Sequence, residues 1–379
     1  MTVLRGITWD HPRGVGGLEA TALRYSQSHE GIHVVWDRRS LLESRELSPD
    51  RLAESYDIIV ISHPFVGSAA KQGSLLPLDT LLPEEFLELQ HEQSAGPSHR
   101  SYEYAGHLWA LALDASAQVS AYRPDLLASP PLDWDSVVEL ALREGRRAAI
   151  PLTPSDAFAS FLSLCANAGE PPFSRDDVVA SRETAMHSLT LLHRLAGLLN
   201  PASLTLDPPG LLEAMSTTEE IIYAPLIFGY SNYSRPGFRP SLVRFADIPS
   251  SGEGPTGSLL GGAGIAISSR CPEPRVAADY AAWVCQPEVQ RSVYFDAGGQ
   301  PGNRVAWLDE GVNARSDGFF TRTLATITGA YLRPRYDGYV AVQAECGRIL
   351  HEGLLSGRDP EAVYSDLNSC YSGTRKDSV

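Results

Sequence analysis

Strand-like apolar runs open the chain at Val3 to Trp9, Ile32 to Asp37 and Asp57 to Ser62. A helix-like stretch from Gly17 to His29 separates the first two, and a polar segment containing Pro49 separates the second from the third. Strands and helices in alternation predict a mostly parallel sheet covered by helices on both faces. Ligands of open α/β sheets bind beyond the carboxyl ends of the strands. That rule singles out two tips, Trp9-Asp10-His11-Pro12 and Ser62-His63-Pro64-Phe65. The first tip leads into Arg13-Gly-Val-Gly-Gly17, which has neither the G-x-G-x-x-G spacing nor the G-K-[ST] of a phosphate loop. A turn that opens a helix is the expected structure there.

From Leu132 to about Ala246 the pattern is mainly helical. Asp133 or Asp135 is placed to cap a helix running to Glu144, and Ser155 to cap another through Ala168. Leu189, Leu192, Ala196 and Leu199 form the apolar stripe of a third. His187 and His193 do not share a helix face well, so they read as surface or boundary histidines rather than zinc ligands. The run from Ile221 to Arg235 predicts a strand ending at Pro225, followed by a loop with Phe228, Tyr230, Asn232, Tyr233 and Arg235. Such a loop is hard to bury with all its polar groups satisfied. It reads as a ligand-lining loop, with a solvent-facing loop as the competing reading.

Gly257 to Asn303 carries the strongest local pattern. Four glycines, at 257, 261, 262 and 264, lead into a short apolar strand at Gly264 to Ile267, where the backbone approaches something closely. A proline-started helix follows, with Val276, Tyr280, Trp283 and Val284 on one buried face, and Pro287 to Asp296 reads as another helix. A helix from Arg315 to Ala330, the segment Tyr331 to Tyr339, and a helix with Val342, Cys346, Ile349, Leu350 and Leu354 on one side complete the chain.

This order of parts resembles the maltose-type, family 1, extracellular solute-binding proteins of ABC importers. Further along, Leu75-Leu-Pro-Leu-Asp79, Tyr104-Ala-Gly-His-Leu-Trp-Ala-Leu-Ala-Leu-Asp114 and Ala117 to Asp125 resemble the family's G-x-x-W-A-x-P crossing strand and the start of its second lobe. Ala112 stands where proline is usual, and the closing run from Leu355 resembles the family's ending. The resemblance implies an α/β, two-lobed periplasmic-binding-protein type II fold. Each lobe would have a mixed, mostly parallel sheet flanked by helices. Lobe 1 is expected at 1–112 and 258–312, lobe 2 at 113–257 and 313–371, and a flexible tail at 372–379. The function it implies is capture of a small polar or carboxylate-bearing organic solute between the lobes, with hinge closure. Trp9, Asp10, His11, His63, Asp114, Tyr230, Asn232, Tyr233, Gly261, Gly262, Arg333, Arg335 and Tyr339 are the expected ligand-binding residues. Aromatic rings suit an organic solute and an arginine suits a carboxylate. Each also has a plain structural role open to it: core for Trp9 and Tyr339, a cap or turn for Asp10, surface ion pairs for Arg333 and Arg335.

Composition narrows the classes. The chain has 379 residues with 43% apolar and 20% charged content, enough for two ordinary domains. A net charge of -15 and the absence of a basic cluster exclude a nucleic-acid partner. Five separated cysteines show no C-x-x-C spacing and read as free thiols, and neither cofactor nor metal is expected. No run reaches the roughly 18 apolar residues of a membrane span. The start at Met1 shows no signal-peptide pattern, so the expected location is cytoplasmic, or periplasmic or extracellular if a leader had been removed. An ABC permease is the implied partner. Two other functions share the sequence: a cytoplasmic small-molecule sensor or carrier, and an enzyme recruited from the fold, using Asp10, His11, His63 and Asp114 for acid–base chemistry.

Overall fold

Strand β1 (Thr2–Trp9) begins with exposed Val3 and Arg5 flanking buried Leu4, then runs buried on both faces from Gly6 to Trp9. That change marks a strand moving from the rim to the interior of a sheet. β2 (Ile32–Arg39) lies parallel to it along the full register from Thr2 opposite Ile32 to Trp9 opposite Arg39. β3 (Ile58–Ile61), buried at every position, is parallel on the other side but pairs only through Ile58 and Ile59. The remaining strands are β4 (Glu103–Tyr104), β5 (His107–Leu108), β6 (Leu111–Tyr122), β7 (Tyr223–Phe228), β8 (Arg244–Ala246) and β9 (Leu260–Ile267). β9 closes the free edge of β3 in antiparallel register, Ile58 to Ile267 through Ile61 to Gly264.

The computed structural model describes residues 1–175, 178–252 and 254–376, and these divide into two compact units. The first comprises Met1–Ser116, Gly261–Ala314 and Arg335–Asp337; the second, Ala117–Leu260, Arg315–Pro334 and Gly338 onward. In the first unit the sheet β2-β1-β3-β9 is the centre of an apolar core that includes Leu4, Leu18, Trp36, Val66, Tyr280 and Tyr294. In the second, β6 pairs antiparallel with both β7 and β8, while parallel pairing survives in bridges such as Ala148 to Tyr223. Its core gathers Trp134, Phe158, Phe161, Leu189, Tyr223 and Leu350.

Helix α1 (Pro12–Ser28) starts ahead of the expected Gly17. Pro12 supplies a helical φ at its first position, and the extended His11 caps it, Nδ1 accepting from the Arg13 N–H at 3.0 Å. The glycine run is therefore helix, and it serves packing. A Cβ at Gly16 would lie 2.1 Å from the Ala297 carbonyl oxygen, and one at Gly17 would lie 2.6 Å from the Tyr294 ring.

Four other expectations are corrected. The helix Pro154–Asn167 takes Thr153 rather than Ser155 at its N-terminal flank, because Pro154 sets its first turn. The helix Trp134–Glu144, by contrast, is capped as expected by Asp133, whose carboxylate accepts from Ser136 N–H. β7 does not stop at Pro225 but runs to Phe228, since the register slips between Val119 and Ala121. The bulge accommodates a residue with no N–H to donate. The segment Arg315 to Ala330 is broken into Phe319–Arg322 and Leu324–Thr328, after Gly318 turns the chain at φ 70°. The final helix Pro360–Lys376 extends into the stretch read as a tail, and 377–379 lie outside the described residues.

No helix among the described residues is long and apolar enough to cross a membrane. Cys165, Cys271, Cys285 and Cys346 are buried free thiols and Cys370 is half-buried. Burial pushes the Cys165 thiol up to about 12 and the Cys271 thiol up to about 11, so neither is thiolate at neutral pH. Brief treatment of the folded protein with a charged maleimide should label Cys370 ahead of the others. Cys165 should react only in denaturant, as read by intact and peptide mass.

Candidate functional site

The carboxyl ends of β1, β2 and β3 gather several of the expected residues in the first unit. Trp9 is core rather than lining, its ring packed where a Cβ at Gly14 would come within 2.4 Å. Asp10 projects outward, its side chain 63% exposed and 3.5 Å from the exposed Arg38 guanidinium. His11 is engaged as the α1 cap. His63 opens a 3-10 turn (His63–Phe65) directly after β3, fully buried and edge-on to Tyr102 at 6.4 Å between ring centroids.

Asp114, expected near a ligand, is instead buried in β6 and held by Arg13. Arg13 Nε donates to Oδ2 at 2.8 Å and Nη2 to Oδ1 at 2.5 Å, a bidentate fork with both side chains almost without solvent. Burial raises the Asp114 carboxyl above its ordinary value and the Arg13 charge opposes that rise. With both oxygens taken up by one guanidinium, Asp114 is a structural anion rather than an acid or base. Gly262, at φ 105° in β9, lies against the same strand: a Cβ there would come 2.3 Å from the Asp114 carbonyl oxygen. Gly261 precedes it in β9, half-buried.

Sequence reasoning missed Arg39, the last residue of β2, because the apolar run was ended at Asp37. Its guanidinium is buried and Nη2 donates to the Val60 carbonyl at 2.9 Å, in the gap left where β1 and β3 cease to pair. Nε and Nη1 have no hydrogen-bond acceptor among the described residues. Burial pushes this guanidinium down to about 10, still a cation at neutral pH.

In the second unit, Tyr230, Asn232 and Tyr233 are brought together by the 3-10 turn Ser231–Ser234, and all three are buried, not solvent-facing. The turn folds the loop inward, and the Tyr233 hydroxyl donates to the Pro209 carbonyl and to Glu213, each at 3.3 Å. Glu213 also accepts from Arg239 Nε at 2.7 Å. Arg333 donates to Gln343 Oε1 at 2.7 Å and to the Leu260 carbonyl at 3.4 Å. Tyr339 is fully buried, its ring perpendicular to Phe173 at 5.7 Å.

Arg335 belongs to the first unit and goes elsewhere, donating from Nη1 to the Arg100 carbonyl at 2.5 Å. It lines an open cavity of about 910 Å³ together with Asp79, His91, His99, Glu103 and His107. His107 and Asp79 meet at 2.8 Å, and Asp79 also accepts from Leu108 N–H. Burial holds the His99 imidazole down to about 4, so its ring is neutral near pH 7.

Both units match solved structures along their whole length. The chain aligns with maltose-bound MalE3 of T. maritima at TM-score 0.82 and 17% identity, covering 100% of each chain. It aligns with an ABC transporter solute-binding protein of Agrobacterium radiobacter in complex with ribitol at TM-score 0.81 and 19% identity, covering 98% of each. The fold is therefore the two-lobed α/β type II periplasmic-binding-protein fold. The family model for bacterial extracellular solute-binding proteins matches residues 17–291, and the chain belongs to that family. A curated relative, the maltotriose-binding protein of Pyrococcus abyssi, is 22% identical over 129 residues, and that match spans 34% of this chain and 28% of the relative.

Proposed function

We propose that this chain binds a sugar or polyol as the solute-binding component of an ABC import system, on the extracellular or periplasmic side of a membrane. Family membership supports the role, and the maltose and ribitol of the two structural relatives support a polyhydroxylated ligand over the carboxylate left open by the sequence. The observation that carries the reading is Arg39. A buried cation with two unsatisfied N–H donors, at the strand ends where open sheets take their ligands, suits the hydroxyl oxygens of such a solute. His63 and the half-buried backbone at Gly261 and Gly262 belong to the same proposal, as does hinge closure, read as a ligand-dependent fall in radius of gyration.

Thermal shift with a panel of maltose, maltotriose, ribitol, mannitol and tagatose, followed by calorimetry on the best ligand, tests this. At least one should raise Tm by mass action. Arg39→Lys keeps the charge but not the donor fork, and should weaken that ligand by about 10- to 100-fold through loss of charged hydrogen bonds. Absence of binding across the panel at millimolar concentration would defeat the ligand class. Unchanged affinity in a folded Arg39→Lys protein would defeat the site.

A further inference from the structure

We propose that His91, His99 and Glu103 form a site for one divalent transition-metal ion, zinc being the best-fitting occupant, at the wall of the 910 Å³ cavity in the first unit. The three donors come from three consecutive pieces of chain. His91 lies in the last turn of the helix Glu84–Glu92, His99 just before the 3-10 turn Arg100–Tyr102, and Glu103 at the start of β4.

Their spacing favours an ion over direct contact. His91 Nδ1 is 3.5 Å and His99 Nε2 3.7 Å from the same oxygen, Glu103 Oε1. Both distances exceed the roughly 2.7 to 3.2 Å of an N–H···O hydrogen bond. Two ligands bound at about 2.0 to 2.1 Å to one tetrahedral ion stand about 3.3 Å apart. The two nitrogen–oxygen separations need only side-chain adjustments of a few tenths of an ångström to meet that value. All three donor atoms lie within 4.8 Å of one another, and the two imidazoles stand edge-to-face with ring centroids 5.3 Å apart.

The frame is preorganised. Between His91 and Glu103 the chain is held by Ser94 Oγ accepting from His99 N–H at 2.9 Å, by Ser98 Oγ donating to the Ala95 carbonyl at 2.7 Å, and by Ser101 Oγ donating to the Ser98 carbonyl at 2.6 Å. Externally, Arg304 N–H donates to the Gln93 carbonyl at 2.6 Å and Ala95 N–H to the Gly302 carbonyl at 3.1 Å. His99 is buried while His91 and Glu103 open on the cavity, which leaves a fourth coordination position on the cavity side. Glu88 and Glu92 add negative charge to the same wall; Arg100 and Arg335 oppose it, with Arg335 Nη1 committed to the Arg100 carbonyl. Two imidazoles and one carboxylate select zinc and its neighbours in the transition series over magnesium or calcium, which prefer all-oxygen sites.

The test titrates Zn²⁺ alone into the full, tag-free chain after chelator treatment, with calorimetry and thermal shift, and repeats it with Co²⁺ followed by visible absorption. One ion per chain is expected, with a rise in Tm and cobalt d–d bands of a low-coordinate N/O site. His91→Ala removes an exposed side chain and should leave the fold intact while weakening Zn²⁺ by at least about tenfold and abolishing the bands; Glu103→Gln should do likewise, and His187→Ala should change neither. No Zn²⁺ binding, equal affinity in wild type and His91→Ala, or equal competition by Mg²⁺ would each overturn the site. Sugar binding by His91→Ala should be unchanged, which separates failure here from failure of the solute-binding proposal.

Discussion

Asp114→Ala is expected to be the most destabilising single substitution in the first unit, by about 3 to 5 kcal/mol. It removes the counter-charge of the Arg13 guanidinium, which is 4% exposed and bound to both carboxylate oxygens. Against a total stability of about 5 to 15 kcal/mol, such a loss brings unfolding within reach of ambient temperature. Urea titration should show the midpoint falling with little change in slope. Arg13→Met together with Asp114→Leu should recover most of the loss, because the desolvation cost of two buried charges disappears along with their attraction. If Asp114→Ala alone costs less than about 1 kcal/mol, the pair is solvated in solution and the structural role assigned to Asp114 is wrong.

Gly262→Ala should cost about 2 to 4 kcal/mol. Two effects add. A φ of 105° is a conformation that L-residues rarely adopt, and the new methyl would sit 2.3 Å from the Asp114 backbone oxygen, where no side chain can swing aside. Gly197→Ala is the matched control. It lies in the helix Arg182–Leu198 with nothing within 4 Å of the added Cβ, and it should be neutral or stabilising by up to about 1 kcal/mol. The difference in urea midpoint between the two variants measures the close approach itself.

What was legible in the sequence was local. The runs that became β1, β2, β3 and β9 and the helices around Tyr280 and Leu189 follow from hydrophobic period, and the ordered motifs made the fold class readable. Partnerships across long stretches of chain were not. Arg13 and Asp114 are 101 positions apart, and nothing in either segment announces the other. The loop from Tyr230 to Tyr233, read as lining a ligand or facing solvent, is buried, because a 3-10 turn folds it inward and the Pro209 carbonyl accepts from the Tyr233 hydroxyl. Arg39 was lost by ending a strand two residues early, a boundary that a charged pair at Arg38 and Arg39 disguised. His91, His99 and Glu103 match no standard ligand spacing, since a helix end, a turn and a strand each contribute one.

The pairing of β3 with β9 has a consequence for how the chain is made. As the ribosome releases the first 116 residues, Ile58–Ile61 has β1 on one side and an open, wholly apolar edge on the other. The strand that covers this edge lies some 200 residues downstream, at Gly264 to Ile267. An uncovered apolar edge invites pairing with other chains, and contacts of long sequence separation form slowly. The nascent first unit therefore passes through an interval of vulnerability whose length is set by translation, and which ends only when the glycine-led segment arrives.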